Sequence, residues 1–216
     1  MVLYNVLLFL EVRRVEIENL YPGSWGANCY LLMTDGHAAV VDPSPSVIKL
    51  MEVIRARGVT LEKILLTHGH FDHITAIDTL RDATDAEVWI HEDDAELLTD
   101  AHKNAFYKFF QTERVWRPAE HTVKDGDVLT LGNETIKVIH TPGHTMGSVC
   151  FLLEDGRLLT GDTLFARGYG RYDLYGGNVS MLFESLAKMR ELPQDLRILP
   201  GHGAEATLAA ALDVYY

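Results

Sequence analysis

The chain has 216 residues, 47% of them hydrophobic and 23% charged, a balance that suits one folded core and excludes a disordered or fibrous protein. Its 19 basic and 31 acidic residues give a formal charge of -12. No basic cluster offsets that charge, so a nucleic-acid partner is not expected.

In chain order, Val2–Leu10 is apolar but about half the length of a membrane span and lacks a basic leader. It reads as a strand, Leu3–Phe9, of a cytoplasmic protein with no membrane partner. Val12–Glu18, Ala27–Met33 and Ala38–Val41 read as further strands. Ser46–Arg57 sets Val47, Leu50, Met51 and Ile54 on one helical face and stops at Gly58, a residue suited to the position just past a helix end. Ile64–Thr67 is a short buried strand. Ile74, Ile77 and Leu80 repeat at helical spacing, Glu87–His91 is a strand, and Asp94–Phe110 is predicted helical. Val128–Leu131, Thr135–Ile139, Val149–Leu153 and Arg157–Thr160 are strand-like runs between Gly-containing turns. Val179–Met189 is a helix, Ile198 and Leu199 a last strand, and Ala204–Leu212 a closing helix. This order fits an α/β protein in which two packed sheets carry helices outside, a four-layer body. No linker, charge block or repeat divides it, so 1–216 is expected to be a single domain. Cys29 and Cys150 lie in apolar runs, where a thiol packs as a small hydrophobe.

The segment Thr67-His68-Gly69-His70-Phe71-Asp72-His73 joins a buried strand to a helix and packs four potential metal ligands into six residues. Alone, Asp72 would be an ordinary helix cap. In an extended loop residues two apart face the same way, so His68 and His70 suit one ion while Asp72 and His73 turn toward another. Three more strand-end loops carry one ligand type each: His144 in Thr141-Pro142-Gly143-His144, Asp162 in Thr160-Gly161-Asp162-Thr163, and His202 in Pro200-Gly201-His202-Gly203. Singly these are turn residues; their common placement marks a metal site. His37, His91, His102, His121 and His140 fall in no such loop and are read as structural or exposed. His140 is the one candidate among them for orienting a ligand.

These motifs, with TPGHTxGS at 141–148, GDTLF at 161–165, PGHG at 200–203 and Gly26-Ala27-Asn28-Cys29-Tyr30 near the start, resemble the metallo-β-lactamase superfamily and within it the glyoxalase II-like branch. The resemblance implies the αββα sandwich of two mixed sheets. It also implies that His68, His70 and His144 hold a first metal, that Asp72, His73 and His202 hold a second, and that Asp162 bridges them. Two divalent ions are therefore expected, zinc by default, with iron or manganese close behind. Such a pair can present hydroxide to a carbonyl without a side-chain base, Asp72 aiming it. No G-x-S-x-G elbow offers a serine alternative.

The expected activity is hydrolysis of a small-molecule thioester such as S-lactoylglutathione, by a monomer or small homo-oligomer. Full-length glyoxalase II binds glutathione through cationic residues of a C-terminal helical domain, whereas here about a dozen residues follow Gly203. Arg171 resembles that family's basic substrate contact, and Asp173 stands where an aromatic is usual; both are candidate substrate-binding residues. Persulfide dioxygenases resemble the same motifs with a single Fe(II) on the residues matching His68, His144 and Asp162, which makes them the main alternative. A lactonase is a second one, by fold analogy. A β-lactamase is disfavoured because those enzymes lack the bridging carboxylate, and a silent binding protein because all seven ligands are present.

Overall fold

The computed structural model describes residues 15–22, 26–44 and 47–215. The strand predicted over Leu3–Phe9 lies outside them, as do the first residues of Val12–Glu18 and Ser46.

The first sheet is built from β1 (Glu16–Asn19), β2 (Tyr30–Thr34), β3 (His37–Val41), β4 (Thr60–Leu65), β5 (Glu87–His91) and β6 (His121–Val123), ordered as in the chain. Its first three strands pair antiparallel and the rest parallel. Every residue of β2 is buried, as expected of a strand covered on both faces, and this is why its sequence is continuously apolar rather than alternating. The second sheet runs β12 (Ala206–Thr207), β11 (Arg197–Pro200), β10 (Arg157–Gly161), β9 (Val149–Leu153), β8 (Glu134–His140) and β7 (Val128–Leu131). It too is mixed, with β10 and β11 parallel. At its edge β7 alternates exposed and buried residues, one face meeting water.

Alternate strand residues sort the core into three layers of contact. Tyr30, Leu32, Ala39 and Val41 face Leu131, Ile136, Val138 and Phe151 between the sheets. Leu31, Val40 and Ile64 face outward onto Leu50 and Ile54 of α1 (Val47–Arg57) and onto Ile77 and Leu80 of α3 (Ile77–Thr84). On the far side Ile139, Leu158 and Ile198 pack on Leu186 and Met189 of α5 (Val179–Met189) and on α6 (Leu208–Leu212). Each such fully buried side chain contributes roughly 1.5–3 kcal/mol, and the result is the αββα sandwich that the element order predicts. Cys29 and Cys150 are free and buried in opposite outer layers; burial pushes their thiols up to about 12 and about 11. Among the described residues no helix is long and apolar enough to cross a membrane.

Two predicted helices differ. Asp94–Phe110 is a 3₁₀ segment (Glu92–Thr99), a turn, and the short α4 (Phe106–Phe110). The break has a cause: buried Asn104 accepts Phe106 N–H at 2.9 Å with its side chain, and its carbonyl accepts Phe71 N–H at 3.0 Å, so tertiary bonds replace helical ones. Ala204–Leu212 opens instead with β12, because Ala206 and Thr207 pair with Ile198 and Arg197 before α6 begins. The short α2 (Phe71–Ile74) is likewise separate from α3. Neither β6 nor β12 is long enough to show a period in the sequence.

Candidate metal centre

Parallel pairing brings the ligand loops to one edge of the sandwich. Val41 of β3 is opposite Leu65 of β4, so Asp42 and the 67–73 loop leave the sheet side by side. A register shift between Leu159 and Gly161 sets Gly161 against Pro200, which puts Asp162 beside the 200–203 loop. Gly161 N–H and C=O have no room for a side chain nearby: φ is +48° and an added Cβ would stand 2.4 Å from Thr67 Oγ1. At Gly201 a Cβ would meet Asp162 Oδ1 at 2.3 Å. Both glycines are what lets backbone pass directly beneath the ligand side chains. Val149 N–H donates to Thr67 C=O at 2.8 Å and so stitches the two sheets together under the site.

All seven predicted ligands converge here. His68, His70 and His144 form one group, and Asp72, His73 and His202 another. Nε2 of His144 lies 3.1 Å from Nε2 of His68 and 2.9 Å from Nδ1 of His70. Asp162 reaches toward both groups: Oδ1 is 3.4 Å from His73 Nε2, while Oδ2 is 3.6 Å from His144 Nε2 and 3.5 Å from His202 Nε2. Asp72 Oδ2 is 3.3 Å from His202 Nε2.

These contacts fit a cation and little else. His144 Nδ1–H donates to the Arg171 carbonyl at 2.6 Å, and His68 Nδ1 sits 3.1 Å from Thr67 Oγ1, which itself donates to Asp42 at 2.6 Å. Each ring thereby spends its proton on the far side, so two Nε2 lone pairs face one another. Nitrogens about 2.0–2.1 Å from a tetrahedral zinc stand about 3.3 Å apart, close to what is seen. Buried His73 Nε2 and Asp162 Oδ1, 3.4 Å apart, make no hydrogen bond among the described residues, an arrangement that costs about 1–3 kcal/mol per group unless something fills it. Neutral imidazole and ionised carboxylate ligands suit divalent metals.

Electrostatics agree. Burial, reinforced by neighbouring histidines, holds His68 and His70 well below the usual histidine range, and burial lowers His144 too. At His73 burial opposes charge, but Asp162, Asp42 and Asp72 outweigh it and raise the pKa. Burial would raise Asp162 and Asp72; the histidines, His73 foremost, bring both below the usual carboxylate range, so both stay ionised.

Two supporting acids escape the sequence reading. Asp42, at a φ of 52° and buried, accepts His73 Nδ1–H at 2.9 Å together with Thr67 N–H and Oγ1–H. It fixes the His73 ring so that Nε2 faces Asp162. Its signal was available, an acid ending the apolar run Ala38–Val41 as Asp162 ends another. Asp94 accepts Gly69 N–H at 2.9 Å, Gly147 N–H at 2.7 Å and Thr145 Oγ1–H at 2.8 Å, pinning the 67–73 loop to the 141–148 loop.

Arg171 and Asp173 are not ligands to the clusters. The Arg171 guanidinium is held in a two-pronged pair with Asp173, at 2.6 and 2.8 Å. His140 touches no ligand: it stacks on His91 at 4.0 Å and meets the Met146 carbonyl at 2.8 Å. A cavity of about 520 Å³ opens over the clusters, lined by His70, Phe71, Asp72, His144, Asp162, His202, Arg171, Leu174, Ala105, Phe109 and Phe110. A second hollow of about 370 Å³, between Asp155, Arg157 and Arg197, lies at the opposite ends of β10 and β11 and shares no residue with the clusters.

Two mixed sheets between helices, with histidine and aspartate clusters along one edge, define a metal-binding αββα protein. The chain belongs to the metallo-beta-lactamase superfamily, whose sequence profile matches residues 22–202. Among its relatives, the probable metallo-hydrolase YqgX of Bacillus subtilis is 36% identical over 87% of this chain and 90% of its own. Hydroxyacylglutathione hydrolase GloC of Haemophilus influenzae is 29% identical over 90% and 93%. Of solved structures, BLEG-1, a B3 metallo-beta-lactamase, superposes with a TM-score of 0.84 at 33% identity, covering 93% of this chain and 97% of its own. TTHA1623, solved in a di-iron-bound form, gives 0.78 at 34%, covering 91% and 96%. ETHE1 from Myxococcus xanthus gives 0.71 at 29%, covering 92% and 80%.

Proposed function

We propose that this chain is a metal-dependent hydrolase of ester-type carbonyls, acting on a thioester such as S-lactoylglutathione with two divalent ions, zinc first among them. The observation that carries the reading is the reach of Asp162, whose two oxygens face both ligand groups at once. When bound, the metal pair supplies an activated water and polarises the scissile carbonyl. Asp162 sets the spacing of the two groups, and ionised Asp72, open to the cavity, accepts a hydrogen bond from the attacking water and aims it. His144, fixed by the Arg171 carbonyl, and His73, fixed by Asp42, keep their rings from rotating during turnover. The likeness to GloC, a hydroxyacylglutathione hydrolase, supports the thioester as the electrophile.

A second reading is oxidation of a persulfide at iron. It is favoured by His144, whose Nε2 lies 3.1 Å from His68 Nε2 and 3.6 Å from Asp162 Oδ2, two imidazoles and a carboxylate of the kind that suits non-haem iron, and by the iron in TTHA1623. One experiment separates the readings. Protein of measured metal content is assayed for S-lactoylglutathione hydrolysis, with oxygen uptake on glutathione persulfide and hydrolysis of a chromogenic cephalosporin alongside. Metal-dependent thioester cleavage is expected; stoichiometric iron with rapid oxygen uptake, or lactam cleavage alone, rejects it.

A further inference from the structure

The cavity has two unlike walls. One is the ligand set; the other is apolar, formed by Phe71, Ala105, Phe109, Phe110 and Leu174. Phe71 stands in the chain between His70 and Asp72, and its ring meets those of Phe106, Phe109 and Phe110 at 5.8, 5.4 and 5.4 Å between centroids. The aromatic patch therefore begins at the reacting centre.

The packing of the fold accounts for only half of that patch: Phe71 and Phe106 rest on the first core layer, Phe106 against Trp116. The other two rings of the patch, Phe109 and Phe110 of α4, are 52% and 55% exposed. Leaving two such rings half in water forgoes about 1 kcal/mol each. α4 is held there by left-handed residues at both ends, Ala105 at φ 68° and Gln111 at φ 52°, a conformation that non-glycine residues adopt at a cost. An apolar surface kept open against these costs is a binding surface.

Charge narrows the occupant. Among the described residues lining the cavity, Arg171 is the sole lysine or arginine, and Asp173 holds its guanidinium at 5.9 Å from the Phe109 ring. Glutathione carries two carboxylates and would find no uncommitted cation on this wall. We infer that, within the thioester reading, the pocket binds thioesters bearing an uncharged aromatic substituent seated on Phe71, Phe109, Phe110 and Leu174 more tightly than it binds glutathione thioesters such as S-lactoylglutathione, which it still admits, and that Asp173 sets this preference by occupying Arg171.

Binding is measured by calorimetry on the metal-loaded protein with non-hydrolysable thioethers: N-acetylcysteamine carrying either a phenylpropyl or a hydroxypropyl group, and glutathione carrying phenylpropyl. The phenylpropyl form is expected to bind about tenfold tighter than the hydroxypropyl form. Phe109→Ala and Phe110→Ala each cut that ratio several-fold at unchanged metal stoichiometry, and Phe109→Leu restores part of it. Asp173→Asn tightens the glutathione thioether several-fold relative to its neutral counterpart. Equal affinity for the two neutral thioethers, or a ratio untouched in both alanine variants, overturns the pocket assignment; no gain for glutathione in Asp173→Asn overturns the role of Asp173. Turnover of the matching thioesters is followed in parallel. Binding preference without turnover leaves the pocket standing and rejects the hydrolase reading, whereas turnover without preference does the reverse.

Discussion

The two ligand groups differ in depth and in charge. His68, His70 and His144 are 1%, 3% and 2% exposed, and burial keeps all three neutral. In the other group Asp72 and His202 present 27% and 33% of their side chains to solvent, and Asp72 brings a full negative charge. Their supports differ in kind too. In the deep group the main-chain carbonyl of Arg171 stands behind His144, Thr67 Oγ1 stands between His68 and Asp42, and Asp94 pins the loops, while in the outer group the Asp42 carboxylate contacts His73 directly. Three neutral imidazoles would leave more of an ion's charge for polarising a carbonyl, whereas Asp72 would neutralise part of the charge of the second ion, which stands closer to solvent and so exchanges more readily. The two positions are thus built for unequal tasks.

The comparison breaks most visibly in metal stoichiometry. His202→Ala is expected to retain about one ion per chain by elemental analysis, whereas His144→Ala loses the deep ion and activity together; the opposite pattern would invert the assignment. Asp162→Ala, which removes the shared carboxylate, should lower kcat about a thousandfold, the several kcal/mol a metal pair contributes. Two bound metals with retained turnover would refute its bridging role.

The supports are tested by smaller effects. Burial raises Asp94 from 3.8 to about 6, so between those values the folded state binds more protons than the unfolded one, and stability falls as pH rises through the window. Measured by urea denaturation against Asp94→Asn, the wild type should lose about 2 kcal/mol between pH 4 and pH 6; a difference that grows with pH contradicts the buried carboxylate. Asp42→Asn keeps the shape but removes the charge behind His73. It is expected to weaken the outer ion about 10- to 100-fold in a chelator competition, and equal weakening of both ions would erase the distinction between the groups.

Much of this was legible without coordinates where the signal is local. The ligands of the 67–73 loop stand within six residues, and the strand-end placement of His144, Asp162 and His202 repeats that pattern. Continuous apolar runs and the face spacing of Ser46–Arg57 and Val179–Met189 gave the layers, because period and punctuation are properties of neighbouring residues. Helical periodicity misled at Asp94–Phe110, where Asp94 and Asn104 bond to distant backbone instead, and at the start of Ala204–Leu212, where Ala206 and Thr207 pair with β11.

The sequence by itself determined the ligand types and the alternation of sheets and helices, since both follow from chemistry and spacing along the chain. Only tertiary structure decided that Asp42 stands behind His73 from 31 positions away and that Asp94 bonds Gly147 across 53. It alone set Asp173 on Arg171 and left an aromatic patch beside the metals. Contacts between distant or irregular segments depend on sheet register and loop packing, which leave no period in the chain.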